Sequence, residues 1–271
     1  IERTDLKGIN TDYSYKSLKN IFEKQSFDAV VHLAGRKIEE EHELSDYLET
    51  NTLMTDKILK LCKEFSIDNV ITASSRMVYS SKNSLPWSED DSPKPMTYYG
   101  LSKLLKDKLV LFYGDNNELN CKSLRFAQVF GIDLGSKIIH TSLFRNFIDK
   151  AMKKEPLPIY GRGKDKKEYI YVKDAVDAII SALETQGEYG VFNIGMGTNN
   201  TVFNIAELIN QVFDNDENGY EFLKEKDEKG ENVLLDITKS KEILNFEPNW
   251  SIKEALYDMK EMIESDYVKF S

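Results

Sequence analysis

The chain has 271 residues, 41% of them hydrophobic and 30% charged, with a formal net charge of -10. That length can bury a core for one large domain or two modest ones. Acids and bases are mixed along the chain, which excludes a basic nucleic-acid groove, and no apolar run approaches the ~20 residues that span a bilayer.

The opening residues, IERTDLKG, read as a strand end entering a loop. Because the chain starts at Ile1 rather than at methionine, further residues upstream are expected. Residues 27–35, FDAVVHLAG, form a short apolar run closed by glycine, the pattern of a strand buried on both faces. Residues 44–65 carry apolar side chains at helical spacing. DNVITASS (68–75) reads as a second buried strand ending in small polar residues. A helix is predicted over 96–113, with Leu104, Leu105, Leu109 and Phe112 on its apolar stripe. CKSLRFAQVFG (121–131) returns to strand. This alternation predicts an α/β fold: a doubly wound, Rossmann-like parallel sheet with right-handed crossovers.

After Gly131 the rhythm changes. A helix over 140–154 precedes two strand-like pieces around the basic, glycine-rich turn of PLPIYGRGKDKKEYIYV. Helical patterns cover 172–184 and 203–213, a strand 190–197 and an edge strand 220–225. Residues 236–263 give two helices split by FEPNW. The expected organisation is a dinucleotide-binding domain over 1–131 and a smaller α/β substrate lobe over 132–271, with 168–195 returning to the sheet. Cys62 and Cys121 sit on core-like patterns and read as buried thiols, while His32, His42 and His140 lack metal-ligand spacing. No signal peptide is visible, so a reducing, cytoplasmic compartment is expected.

Ligands of open parallel sheets bind beyond the carboxyl ends of the strands. Three predicted strands end there in HLAGRK, TASS and FAQVFG, and the helix over 96–113 carries YYGLSK. Tyr99 and Lys103, four residues apart, share one helix face. Alone, such a pair more often marks a solvated face than a catalytic one. Ser75 alone reads as a capping or turn serine. Together the three make coherent chemistry. Cations beside the phenol favour the phenolate, which takes a proton from a substrate hydroxyl while hydride leaves the same carbon; Ser75 holds that oxygen.

The series HLAGRK, ASSRMVY, YYGLSK, LRFAQVFG, KKEYIYVKDAVDAI and FNIGMG, in that order, resembles the extended short-chain dehydrogenase/reductase family. Within it the chain is most similar to NAD-dependent nucleotide-sugar epimerases and dehydratases, over residues 12–263. The resemblance implies that Tyr99 is the catalytic base, that Lys103 lowers its pKa and binds the nicotinamide ribose, and that Ser75 is the hydroxyl partner. It implies that Leu33, Ala34 and Gly35 run under NAD and that Lys37 approaches the pyrophosphate. Asp12 would contact adenine, and Asn51 and Ala73 would border the cofactor. Gln128 and Lys167 would take the sugar-nucleotide diphosphate, and Tyr160 would line the nucleotide base.

Departures from the family pattern are informative. Family dehydratases carry Asp-Glu after the catalytic threonine; Arg76 and Met77 stand here, so dehydration is not expected. Gln128 replaces the family's asparagine and Lys167 its arginine, which keeps polarity and charge but loses a bidentate fork. The family's Gly-x-x-Gly-x-x-Gly turn, which receives the pyrophosphate at a helix N-terminus, does not occur in this sequence. It is expected in roughly 25–40 residues upstream of Ile1. If residues 1–4 end the second strand, Glu2 faces the adenine ribose, while Arg3 would favour a 2′-phosphate.

The implied activity is NAD-dependent epimerisation of a nucleotide sugar, at C4, through a transient keto intermediate. An NAD(P)H-dependent reductase of a keto sugar nucleotide is one alternative, with NADP as its cofactor, and a noncatalytic nucleotide-binding protein is another. A homodimer is expected, because the helices over 44–65 and 96–113 carry apolar residues on more than one face and pair this way in the family. No nucleic-acid or membrane partner is expected.

Overall fold

Four strands, β1 (Ala29–His32), β2 (Asn69–Ser75), β3 (Asn120–Phe126) and β10 (Gly190–Ile194), lie side by side in that order, every pair parallel. They belong to a computed structural model that describes residues 9, 11–37, 42–116, 118–133, 138–139, 142–223 and 230–265. Glu2, Arg3 and His140 lie outside the described residues.

Side chains alternate across the sheet, so each strand feeds two cores. Val70 and Cys121 face a core shared with α1 (Tyr15–Lys24), α3 (Met54–Glu64) and α4 (Tyr98–Asp115), where Leu18, Leu59, Leu61 and Val110 are buried. Ile71, Leu124 and Phe192 face the opposite core with Ala178 and Ala182 of α6 (Val172–Glu184) and Leu244 of α8 (Thr238–Leu244). Each fully buried Leu or Ile contributes about 1.5–3 kcal/mol. β1 differs from expectation. Val31 is 39% exposed, so this strand is covered on one face only. It is the edge of the described sheet.

The predicted helix over 44–65 is a composite: α2 (Leu44–Tyr47), a π-helical turn (Leu48–Leu53) and α3. The strand predicted over 121–131 breaks at Ala127, whose N–H donates to Ile194 O at 2.8 Å. Beyond the break, β4 (Gln128–Phe130) leaves the sheet and pairs with β9 (Tyr169–Tyr171). β5 (Ile132–Asp133) and β6 (Ile138–Ile139) form an antiparallel pair ahead of α5 (Ser142–Met152). β7 (Leu157–Tyr160) pairs with β12 (Tyr220–Leu223), and β8 (Lys166–Lys167) with β11 (Asn200–Thr201). Phe144, Phe147, Ile159, Ile205, Leu256 and Met259 join α5, β7, α7 (Val202–Val212) and α9 (Ile252–Glu264) in a third core. Cys62 and Cys121 are buried free thiols. Among the described residues no helix is long and apolar enough to cross a membrane, and no cluster of three or more His, Cys, Asp or Glu could hold a metal ion.

α4 corrects the sequence reading most. Its expected apolar stripe is partly outward: Leu105 is 37% and Phe112 59% exposed. Its buried face is polar, with Ser102, Lys103, Lys106 and Asp107 inside. Asp107 makes this tolerable. Its carboxylate accepts from Ser123 Oγ at 2.6 Å and from Arg125 Nε at 2.8 Å. Arg125 also donates to Tyr79 Oη at 2.7 Å, and Tyr79 to Asn193 Oδ1 at 2.8 Å. Removing one partner of such a buried pair strands the other charge, at a cost of about 3–5 kcal/mol. The network clamps α4 to β3 and β10.

Candidate active site

Two capped helical starts meet at the carboxyl end of β2. Thr97 Oγ1 accepts from Gly100 N at 3.0 Å and starts α4. Ser75 Oγ accepts from Met77 N at 3.2 Å and starts the 3-10 turn Arg76–Val78. A Cβ on Gly100 would stand 2.3 Å from the Met77 carbonyl oxygen. Only a residue with no side chain lets α4 dock this closely, and the docking sets Tyr99 against Ser75.

Burial pushes the Tyr99 phenol above its usual range. Ser75, as hydrogen-bond partner, and the Arg76 guanidinium pull it back down, while Tyr47, edge-on at 6.1 Å, raises it. Lys103 Nζ lies 5.5 Å from the Tyr99 ring centroid and donates to Ala73 O at 3.0 Å. Burial lowers its ammonium to about 8, opposed by the charge of Asp107. The Arg76 guanidinium, which the sequence reading treats only as a bar to dehydration, thus favours the phenolate as well. Lys106 Nζ reaches the same Ala73 oxygen at 3.3 Å and is fully buried. Burial, then the neighbouring Lys103, holds it well below the ordinary lysine range. Burial and both lysines lower His32 to about 3, so it stands neutral with Nε2 3.1 Å from Thr55 Oγ1.

Asn51 sits in the π-helical turn, a local irregularity frequent at functional sites. Its Oδ1 accepts from Arg36 N at 2.7 Å and its Nδ2 donates to Ser102 Oγ at 3.0 Å. It thus ties the loop after β1 to α4 beside Lys103. A Cβ on Gly35 would stand 2.8 Å from Asn51 Oδ1 and 3.5 Å from Lys103 Nζ. Arg36 Nε is buried in this loop without a partner. An open backbone, a lysine amine, an amide and an orphaned guanidinium donor together fit the ribose and nicotinamide end of a dinucleotide.

Later in the chain, Gln128 of β4 is registered with Tyr169 of β9, and Lys167 of β8 is ion-paired with Glu231. Glu168 is buried, accepting from Gly197 N at 2.8 Å and Leu235 N at 2.6 Å, and burial raises it to about 7. The geometry gathers Gly35, Asn51, Ala73, Ser75, Tyr99 and Lys103 into one cluster. Ala34 precedes it in the loop, where Leu33 and Lys37 are exposed. Asp12 is exposed at the start of α1, accepting from Ser14 N at 2.9 Å, and Tyr160 is exposed at the end of β7. Sequence reasoning missed Lys106 and Glu168. The spacing of Lys106, three residues past Lys103 on the same helix face, was the available signal for the first; its burial was not legible.

A parallel sheet with a Ser–Tyr–Lys cluster at its carboxyl edge defines a dinucleotide-dependent enzyme of the short-chain dehydrogenase/reductase type. The model of the NAD dependent epimerase/dehydratase family matches residues 2–195. A protein described as a putative UDP-glucose 4-epimerase of Methanocaldococcus jannaschii is 28% identical over 256 residues, 92% of this chain and 81% of that protein. A dTDP-4-dehydro-6-deoxyglucose reductase of Escherichia coli is 32% identical over 203 residues, 72% of this chain and 62% of that one. The crystal structure of UDP-N-acetylglucosamine 4-epimerase from Bacillus cereus superposes with a TM-score of 0.83 at 30% identity, covering 93% of this chain and 84% of that one. The chain belongs to the NAD dependent epimerase/dehydratase family.

Proposed function

We propose that the protein inverts a hydroxyl-bearing carbon, C4, of a nucleotide-linked hexose, with NAD recycled in each turnover. The observation that carries this reading is the convergence of Ser75, Tyr99 and Lys103 at the edge of the sheet, in a family whose similar members include 4-epimerases.

NAD, when bound, supplies reversible hydride acceptance at the reacting carbon. Tyr99 takes the proton of the sugar hydroxyl at its Oη and later returns it. Ser75 Oγ holds the substrate oxygen during that transfer, and Arg76 supports the phenolate. Lys103 holds the ribose, supported from below by Ala73 O. Gly35, Asn51 and Ala73 shape that end of the cofactor site, with Leu33, Ala34 and Lys37 along the same loop and Asp12 toward adenine. Gln128 and Lys167 take the diphosphate, so Lys167 exchanges Glu231 for a phosphate oxygen. Tyr160 lines the nucleotide base. NAD is the cofactor of this reading, and NADP that of the reductase alternative. Residues 1–131 hold the cofactor and 132–271 mainly the sugar nucleotide, with 168–195 crossing back.

The exposed apolar side chains Leu105 and Phe112 of α4 and Leu53 of the π-helical turn support the reading that two copies pair through these helices as a homodimer.

The test is incubation of the NAD-loaded protein with UDP-glucose and UDP-glucuronate. Formation of the C4 epimer without net change in NADH supports the proposal. Stoichiometric NAD(P)H consumption on a keto sugar nucleotide would make the protein a reductase instead.

A further inference from the structure

The loop after β1 holds a charged donor with an unsatisfied N–H. Arg36 follows Gly35 there and is half-buried. Asn51 fixes its main chain twice: the Arg36 N–H donates to Asn51 Oδ1 at 2.7 Å, and Asn51 Nδ2 donates to the Arg36 carbonyl at 3.4 Å. The side chain leans on a ring, with Nη1 3.1 Å from His42 Nε2. His42 supplies an acceptor nitrogen there, not a negative charge. Nε is left over, buried without a partner. A guanidinium does not shed its proton, so this donor costs free energy until an acceptor reaches it.

The position narrows what that acceptor is. A Cβ on Gly35, one residue earlier, would stand 3.5 Å from Lys103 Nζ, the amine proposed to hold the nicotinamide ribose. In a dinucleotide the group bonded to the 5′-carbon of that ribose is a phosphate. Lys37, one residue later, is exposed and adds a second cation to the loop. Consecutive cations suit an anionic oxygen better than a neutral hydroxyl. Leu33, Ala34, Gly35 and Lys37 already have roles along this loop, whereas no ligand group is assigned to Arg36.

We propose that Arg36 binds the nicotinamide-side phosphate of the dinucleotide, its Nε–H donating to a phosphate oxygen. The inference rests on the NAD-binding reading above and names a phosphate contact within it. Asn51 grips only the main chain of Arg36, so the side chain can be replaced while both of those hydrogen bonds stay available.

The test titrates NAD, ADP-ribose, AMP and UDP into the nucleotide-free protein and into its Arg36→Met and Arg36→Lys variants, with melting temperature as the control for folding. ADP-ribose keeps both phosphates and both riboses but lacks nicotinamide, and AMP lacks the nicotinamide-side phosphate. In R36M, NAD and ADP-ribose should each bind at least about tenfold more weakly, with AMP and UDP unchanged. R36K should recover part of the loss. NAD affinity in R36M equal to that of the wild type would overturn the inference and leave the NAD-binding reading standing. Weakening of NAD but not of ADP-ribose would overturn it in favour of a nicotinamide contact. Weakening of UDP alone would assign the arginine to the sugar nucleotide and overturn it too. Absence of NAD and ADP-ribose binding by the wild type would overturn both readings.

Discussion

Gly100 packs directly on the backbone of Met77, so closely that a Cβ would come within 2.3 Å of the carbonyl oxygen. This one contact sets the distance between the helix that carries Tyr99 and Lys103 and the turn that carries Ser75 and Arg76. Backbone cannot yield as a flexible side chain can. Gly100→Ala should therefore push α4 outward, at a cost of about 1–3 kcal/mol from overpacking. Turnover should fall further than stability alone explains, since a displacement near 1 Å can cost roughly 10²-fold in a positioned site. Steady-state rates beside a melting curve check this; full activity in a stable variant would refute the docking argument.

Lys103 sets an alkaline limit. Burial depresses its ammonium to about 8, so the charged form, which is the one proposed to hold the ribose, prevails below that pH and is lost above it. NAD affinity should decline as pH rises through about 8, and Lys103→Met should bind weakly with a flat profile. Calorimetric titration across this range decides. Wild-type affinity that stays constant well above pH 8 would mean that the charge of Lys103 is not what holds the cofactor.

Lys106 is expected to weaken the fold at neutral pH. Its folded pKa lies well below the ordinary 10.5, so the folded state holds this proton less readily than the unfolded chain. Stability is therefore lost as pH falls below 10.5, until the folded pKa is passed. Lys106→Met should melt higher than the wild type at pH 7, with the gap closing as pH approaches 10.5. A lower melting temperature at pH 7 would show that the bond to Ala73 O outweighs the burial of the amine.

The exposed Phe112 tests assembly. Phe112→Glu places a charge on the outward face of α4 and should convert a homodimer to monomers, read by light scattering. A wild-type monomer at micromolar concentration would contradict the proposed pairing.

Much of the fold could be read from period and punctuation. DNVITASS and GVFNIGMG are strands because short apolar runs end in small or glycine residues, and both lie in the sheet. The failures share a cause: hydropathy records what a side chain prefers, not which neighbours cover it. FDAVVHLAG has the composition of a doubly buried strand, yet Val31 is uncovered. In α4 the leucines and phenylalanine outrank Lys103, Lys106 and Asp107 in apolar character. The polar residues nevertheless turn inward, because Ser123, Arg125 and Ala73 satisfy them across the sheet. Ser75, Tyr99 and Lys103 were legible from order and spacing, while the π-helical turn around Asn51 adds a hydrogen-bond register that residue spacing does not reveal.

The central claim is that Tyr99 moves the proton of the sugar hydroxyl. The most direct measurement is turnover of UDP-glucuronate to its C4 epimer by the NAD-loaded Tyr99→Phe variant, with NAD affinity measured on the same preparation. The account predicts a loss of roughly 10²–10⁴-fold in kcat with NAD bound as in the wild type, because the ring and its packing remain while the exchangeable proton is gone. Near-normal kcat in that variant, on a substrate the wild type converts, would contradict it.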